Sequence, residues 1–320
     1  MLFKDDILKR PMLILATLLL LQAAPLQAAE KVRLLLDWFV NPNHAAIFAA
    51  KESGAFARQG LDVEMIAPAD SASVPLLLAA GKADIAVSYQ PQLYTLVDKN
   101  VPVMRIGTLI DQPLNTLTTL KNSNIKSLKD LEGKTVGYAI PGFEDIAVRT
   151  MLKSAGADAA KVKLINLNMN AASALLSHKI DAAMTIYRNY ELLELQEKGA
   201  DTLTFKPEEN GVPAYDELIL LANQKSAAND ARIGRFLRGL NEGIAWLRAH
   251  PEQGWQAFIK SWPELDTPLN HHAWNATIAC FPTDVGALDK KRYQAFAKYM
   301  LNNKLIGSIA PIGRYSLPAR

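Results

Sequence analysis

The chain has 320 residues, 49% apolar and 21% charged, with a formal net charge of +3. That balance excludes a disordered polar chain and points to neither nucleic acid nor an anionic membrane surface as partner. Its single cysteine, Cys280, allows no internal disulfide, so the fold must rest on its packed core.

The N-terminus reads as a leader over residues 1–28. Lys4, Lys9 and Arg10 precede the apolar run Met12 to Leu21, and Leu26-Gln27-Ala28 supplies small-residue cleavage chemistry. The apolar run is short of the roughly 20 residues that span a bilayer. A protein exported to an oxidising compartment and released there is expected.

Beyond the leader, strands and helices alternate. Val32 to Leu36 reads as a strand, Asn41-Pro42-Asn43 as turn and cap, and His44 to Lys51 as a helix stopped by Gly54. Leu61 to Ile66 alternates as a strand, Ser71 opens a helix to Ala80, and Asp84 to Ser88 and Val101 to Ile110 follow as strands. The run Leu76 to Ala86, a helix ending on a turn that feeds a short strand, is echoed by Ala174 to Ala183. Two lobes built alike would produce that echo. Breaks at Asp111-Gln112-Pro113 and Gly211-Val212-Pro213 bracket a middle segment, so one lobe is expected from 29–113 plus 214–320 and the other from 114–213. From Asp230 onward the pattern is helical: Arg232 to Ala249, Pro251 to Trp262, Asn270 to Cys280 and Leu288 to Asn303. Trp246, Trp255, Trp262 and Trp274 fall there at core spacing. The fold class expected is α/β, with parallel sheets flanked by helices and a ligand cleft between two lobes.

Motifs for nucleotide binding and for a serine nucleophile are missing, and the five histidines lack metal-ligand spacing. No cofactor is expected. Polar and aromatic groups instead gather at strand ends, where open α/β sheets bind ligands. Asp37, Trp38 and His44 follow the first strand, and Tyr89 and Gln90 follow Asp84 to Ser88. Gly142, in Pro141-Gly142-Phe143-Glu144, opens a helix and can offer N–H groups to an anion. Tyr187, Arg188 and Tyr190 follow Ile180 to Ile186, and Tyr215 and Glu217 lie by the second break. Asp37 and Glu217 are candidate acceptors for a ligand amine.

These residues resemble the periplasmic binding proteins of ABC importers for pyrimidine precursors of thiamine, and the fungal hydroxymethylpyrimidine phosphate synthases related to them. The resemblance is carried by Leu36-Asp37-Trp38-Phe39 with Asn41 to His44, Gly54-Ala55-Phe56-Ala57-Arg58-Gln59-Gly60-Leu61, Ser88-Tyr89-Gln90-Pro91, Val136-Gly137-Tyr138 with Pro141-Gly142, and Gly211-Val212-Pro213 with Tyr215 to Leu218. It implies a two-lobed, type II-like periplasmic binding fold, a small pyrimidine ligand, a permease and ATPase as partners, and a monomer. Ser88 and Gln92 stand where the fungal synthases carry a lysine and a histidine, and the synthases' cysteine cluster is missing, which disfavours an enzyme. Two other functions remain open: an organic-anion binder using Arg188 and the N–H groups after Gly142, and a synthase-like catalyst.

Overall fold

The computed structural model describes residues 28–140, 142–167 and 170–318. Residues 1–27 of the expected leader, Pro141 and the chain between Leu167 and Asn170 lie outside the described residues. Ten strands occur among them: β1 (Glu30–Leu35), β2 (Leu61–Ile66), β3 (Ile85–Ser88), β4 (Val103–Ile110), β5 (Asn115–Leu120), β6 (Thr135–Tyr138), β7 (Lys163–Asn166), β8 (Ala182–Tyr187), β9 (Thr202–Phe205) and β10 (Leu218–Asn223). They form two five-stranded sheets in the orders β2-β1-β3-β10-β4 and β7-β6-β8-β5-β9.

The sheets are mixed, which corrects the expectation of parallel sheets. β1 runs parallel to β2 and β3, and β6 parallel to β7 and β8. By contrast β10 lies antiparallel between β3 and β4, and β5 antiparallel between β8 and β9. β5 and β10 are the strands that follow the two passages between sheets, through residues 111–114 and 206–217. Strand alternation along a sequence carries no direction, so these insertions were invisible to it. Central strands read as continuous apolar runs because both faces are covered: β3, β4 and β5 are buried at every residue. Edge strand β2 instead begins with buried and exposed residues in alternation.

Several helices start and stop on local signals. Asn41 caps the single turn Pro42–His44 that leads into the helix Ala45–Glu52, and Gly54 takes the left-handed conformation (φ 74°) that ends it. Asp230 caps the long helix Ala231–Ala249 by accepting from the Arg232 N–H. This helix lies against Ala45–Glu52 so closely that a Cβ on Gly243 would sit 2.4 Å from the Ala50 Cβ. Only a glycine permits that approach. Helices Pro251–Ser261 and Pro268–Ile278 complete this layer, with Trp255 and Trp274 buried in the core and Trp246 and Trp262 packed at its edge. The tryptophans are therefore core residues, as their spacing indicated. Cys280 is partly buried, its thiol directed to the Ala276 carbonyl and pushed up by burial.

Candidate functional site

A cleft of about 810 Å³ opens where the carboxyl ends of the strands in the two sheets face one another. From the first lobe it is lined by Asp37, Trp38, Phe39, Asn41, Asn43 and Tyr89, and from the second by Ala139, Ile140, Asn170 to Ser173, Tyr187, Tyr190, Glu191 and Glu194. No lysine or arginine lines it among the described residues.

The first-lobe wall is built by the turn after β1. The Asn41 side chain accepts from the Asn43 N–H at 2.9 Å, and the Asn41 N–H donates to His44 Nδ1 at 3.3 Å, a reciprocal cap. With Nδ1 an acceptor, the imidazole proton sits on Nε2 and is donated to Asp37 Oδ1 at 2.9 Å. The Tyr89 hydroxyl donates to Asp37 Oδ2 at 2.6 Å. Burial opposes the Asp37 charge, but the bonds from His44 and Tyr89 outweigh it and hold the carboxyl below its ordinary range. Each carboxylate oxygen has two acceptor positions, so Asp37 keeps capacity for a ligand donor. Trp38 is half-buried and meets Phe39 edge to face at 5.4 Å, while Phe39 is 64% exposed at the cleft.

The second-lobe wall is acidic. Glu191 Oε2 accepts the Tyr187 N–H at 3.0 Å, and the carboxyl is raised to about 7 by burial and by the charges of Glu194 and Glu144. Behind the wall, buried Glu144 accepts from the Ala139 and Ile140 N–H groups at 2.7 and 3.0 Å and from Asn115 Nδ2 at 3.1 Å. Burial raises it to about 7 as well, with the Glu217 charge adding to the shift. Glu217 is itself raised, first by burial.

Of the eleven residues singled out from the sequence, Asp37, Trp38, Tyr89, Tyr187 and Tyr190 converge on the cleft lining. The other six do not line it. His44 stands behind Asp37 and orients it. Gln90 turns inward, donating to the Tyr94 hydroxyl at 2.9 Å and accepting the Asp216 N–H at 2.7 Å. Glu217 joins the two passages between lobes: it accepts from the Leu114 N–H at 2.7 Å and from the Tyr187 hydroxyl at 3.1 Å. Tyr215 is enclosed against the rings of Phe143 and Phe296, its hydroxyl near Asn115 and Glu217 without completing a hydrogen bond. Arg188 is paired with Glu208 at 2.8 Å, and the Gly142 N–H is taken by Asp145 at 2.7 Å. The anion-holding groups expected from the sequence are thus already engaged.

Sequence reasoning missed Glu191, Glu194 and Asn43. Glu191 directly follows the Tyr187 to Tyr190 cluster and opens the helix Glu191–Glu197, so its place beside a strand end was the available signal.

Two lobes, strand ends facing a shared cleft and two chain passages between them define a two-lobed binding-protein fold. Solved structures agree: the periplasmic aliphatic sulphonate binding protein of Escherichia coli superposes with a TM-score of 0.71 at 17% identity, covering 90% of this chain and 92% of that one. The alkanesulfonate-binding protein of Xanthomonas axonopodis gives 0.68 at 15% identity, over 91% and 100%. Residues 41–254 match the family described as NMT1/THI5 like, and the chain belongs to that family. A relative from Haemophilus influenzae, named a putative thiamine biosynthesis protein, is 45% identical over 93% of this chain and 95% of its own length. The formylaminopyrimidine-binding protein of Halalkalibacterium halodurans is 33% identical over 76% and 74%. A 4-amino-5-hydroxymethyl-2-methylpyrimidine phosphate synthase of Legionella pneumophila is 26% identical over 87% and 88%.

Proposed function

We propose that this protein is the solute-binding component of an ABC importer and captures a 4-aminopyrimidine precursor of thiamine, formylaminopyrimidine or hydroxymethylpyrimidine. One observation carries the reading: the cleft combines aromatic faces with carboxylates from both lobes and has no lining cation among the described residues. A flat ring fits against Trp38, Tyr89 and Tyr187. Its exocyclic amine and a protonated ring nitrogen together donate two parallel bonds to one carboxylate, the strong charge-assisted geometry. Asp37, held below its ordinary range, is that acceptor; Glu191 faces it from the second lobe, and Glu217 positions Tyr187 from behind.

An organic anion would meet Asp37, Glu191 and Glu194 with no opposing charge, which argues against the sulfonate reading. Against a synthase, the residues at the lysine and histidine places are committed to each other, Ser88 Oγ donating to Gln92 Oε1 at 2.8 Å. In this reading residues 1–28 are removed on export and the mature protein works in the periplasm as a monomer, delivering ligand to a permease and ATPase. Its lobes, 29–113 plus 214–320 and 114–213, close on the ligand.

Calorimetric titration with hydroxymethylpyrimidine and with an alkyl sulfonate tests the ligand class. The pyrimidine binds, and Asp37→Asn weakens it roughly ten- to a hundredfold, as expected for about 1.5–3 kcal/mol from a charge-assisted contact. Sulfonate binding that disappears in Arg188→Ala overturns the proposal.

A further inference from the structure

Among the described arginines, Arg33, Arg58, Arg188, Arg232, Arg235 and Arg292 are ion-paired, and Arg105, Arg149, Arg238 and Arg248 donate hydrogen bonds. Arg314, on the short helix Ile312–Tyr315, is different. Its guanidinium has no hydrogen-bond or ion-pair partner among the described residues, and its Nη1 is closed off from solvent. A buried donor without an acceptor is costly, more so when it is charged. Something is expected to meet it.

Arg314 borders a cavity of about 230 Å³ in the first lobe that shares no lining residue with the cleft. Tyr94, Tyr315, Val97 and Ile306 give it an aromatic and aliphatic wall, and Ile309, 43% exposed, also borders it. Asp98 is the one carboxylate on the lining; its oxygens already accept from the Gly307 N–H at 3.1 and 3.2 Å and the Ser308 N–H at 3.3 Å. Asn100 and Ser308 add polar groups, so the lining is mixed, and an unpaired guanidinium beside it is the chemistry that recognises a carboxylate on a small organic body. With Nη1 enclosed, the other donors of the guanidinium meet the carboxylate, and the body displaces water from the wall.

We propose that this cavity is a second binding site, separate from the cleft, for a small organic carboxylate held by Arg314. The volume lies below that of pockets for drug-sized ligands, roughly 300–1,000 Å³, so the occupant is a short aliphatic or single-ring acid.

Saturation-transfer NMR with benzoate and with propionate, at ionic strength fixed by chloride, tests it on the full-length mature protein. Transfer is expected in wild type and unchanged in Trp38→Ala, which alters only the cleft. Arg314→Gln weakens binding at least about tenfold by removing the charged contact. Ala310→Phe fills the cavity, keeps the guanidinium and also abolishes transfer, so it decides the question if Arg314→Gln does not fold. No transfer to wild type overturns the site. So does transfer that survives both cavity variants, or that is lost in Trp38→Ala alone, which places the acid in the cleft.

Discussion

The two lobes make the same turn from different residues. In the first, the helix Val74–Ala79 ends with the Ala80, Gly81 and Lys82 N–H groups bonded to Leu76, Leu78 and Leu77; in the second, Ser177, His178 and Lys179 bond to Ser173, Leu175 and Ala174 in the same pattern. Each turn is followed by an aspartate that accepts from the neighbouring strand: Asp84 from the Arg33 N–H and Asp181 from the Thr135 N–H, both at 2.8 Å. The left-handed position is Gly81 (φ 74°) in one lobe and His178 (φ 56°) in the other. A shared backbone solution therefore tolerates an unfavourable residue where the surrounding bonds hold the turn in place.

The lobes differ more in what surrounds them. The first carries the C-terminal helices and all five tryptophans, at 38, 246, 255, 262 and 274, while one core cluster of the second contains only aliphatic side chains, from Leu120 to Leu195. They also differ in their acids. Asp37 is held below its ordinary range by partners, whereas Glu144 and Glu191 are raised by burial. The first lobe supplies a ready carboxylate and the second supplies two that resist ionisation.

Four experiments test this contrast. The largest effect is expected from Gly243→Ala, because the new methyl must displace the Ala50 backbone, 2.5 Å away. We expect a loss of about 2–3 kcal/mol, typical of overpacking. Urea unfolding followed by tryptophan fluorescence reports the first lobe alone, and an unmoved midpoint would show that its helical layer is not needed for stability.

Next come the two walls of the cleft. Asp37→Asn should cost aminopyrimidine affinity roughly 1.5–3 kcal/mol by calorimetry, and Glu191→Gln less near pH 7, where a carboxyl raised to about 7 is only partly ionised. If only one of them matters, ligand recognition belongs to one lobe.

The pH dependence follows with opposite signs. Glu144 and Glu191, raised from 4.5 to about 7, keep protons in the folded protein that the unfolded chain releases. Their contribution is fully present below about pH 4.5 and is lost as pH rises through 7, and Glu217 adds to the trend. Asp37 contributes above its unfolded value and loses that contribution as pH falls below it. The melting temperature of ligand-free protein should therefore drop between pH 5 and 7.5, and Glu144→Gln with Glu191→Gln should flatten the curve. An equal drop in the double variant would place the titration elsewhere.

The smallest effects are at the paired turns. His178→Gly should stabilise by about 0.5–1 kcal/mol and Gly81→Ala should destabilise by about 1 kcal/mol, since left-handed backbone favours glycine and no atom lies within 4 Å of an added Gly81 Cβ. Thermal melts of the two variants that shift in the same direction would break the equivalence of the turns.

Much of this architecture was legible along the chain because its signals are local. Apolar runs gave the strands, Asn41, Ser71 and Asp230 marked helix starts, and the echo of Leu76 to Ala86 in Ala174 to Ala183 marked two corresponding turns. The strand-end aromatics Trp38, Tyr89, Tyr187 and Tyr190 were legible for the same reason, since a strand end is a position in sequence as well as in space. Gln90, Arg188 and Glu217 looked equivalent to them but are turned away by partners distant in sequence: Asp216, Glu208 and the Leu114 N–H.

By itself, then, the sequence determined β1 to β4, β8 and the C-terminal helices, and that aromatic and acidic groups collect at strand ends. The tertiary structure decided the antiparallel placement of β5 and β10, the gathering of Asp37, Glu191 and Glu194 on the cleft wall, and the isolation of Arg314 beside a cavity. Periodicity and capping act within a few residues, whereas strand direction, burial and the partner that engages a charge are set largely by segments further along the chain, from 20 residues between Arg188 and Glu208 to 126 between Gln90 and Asp216.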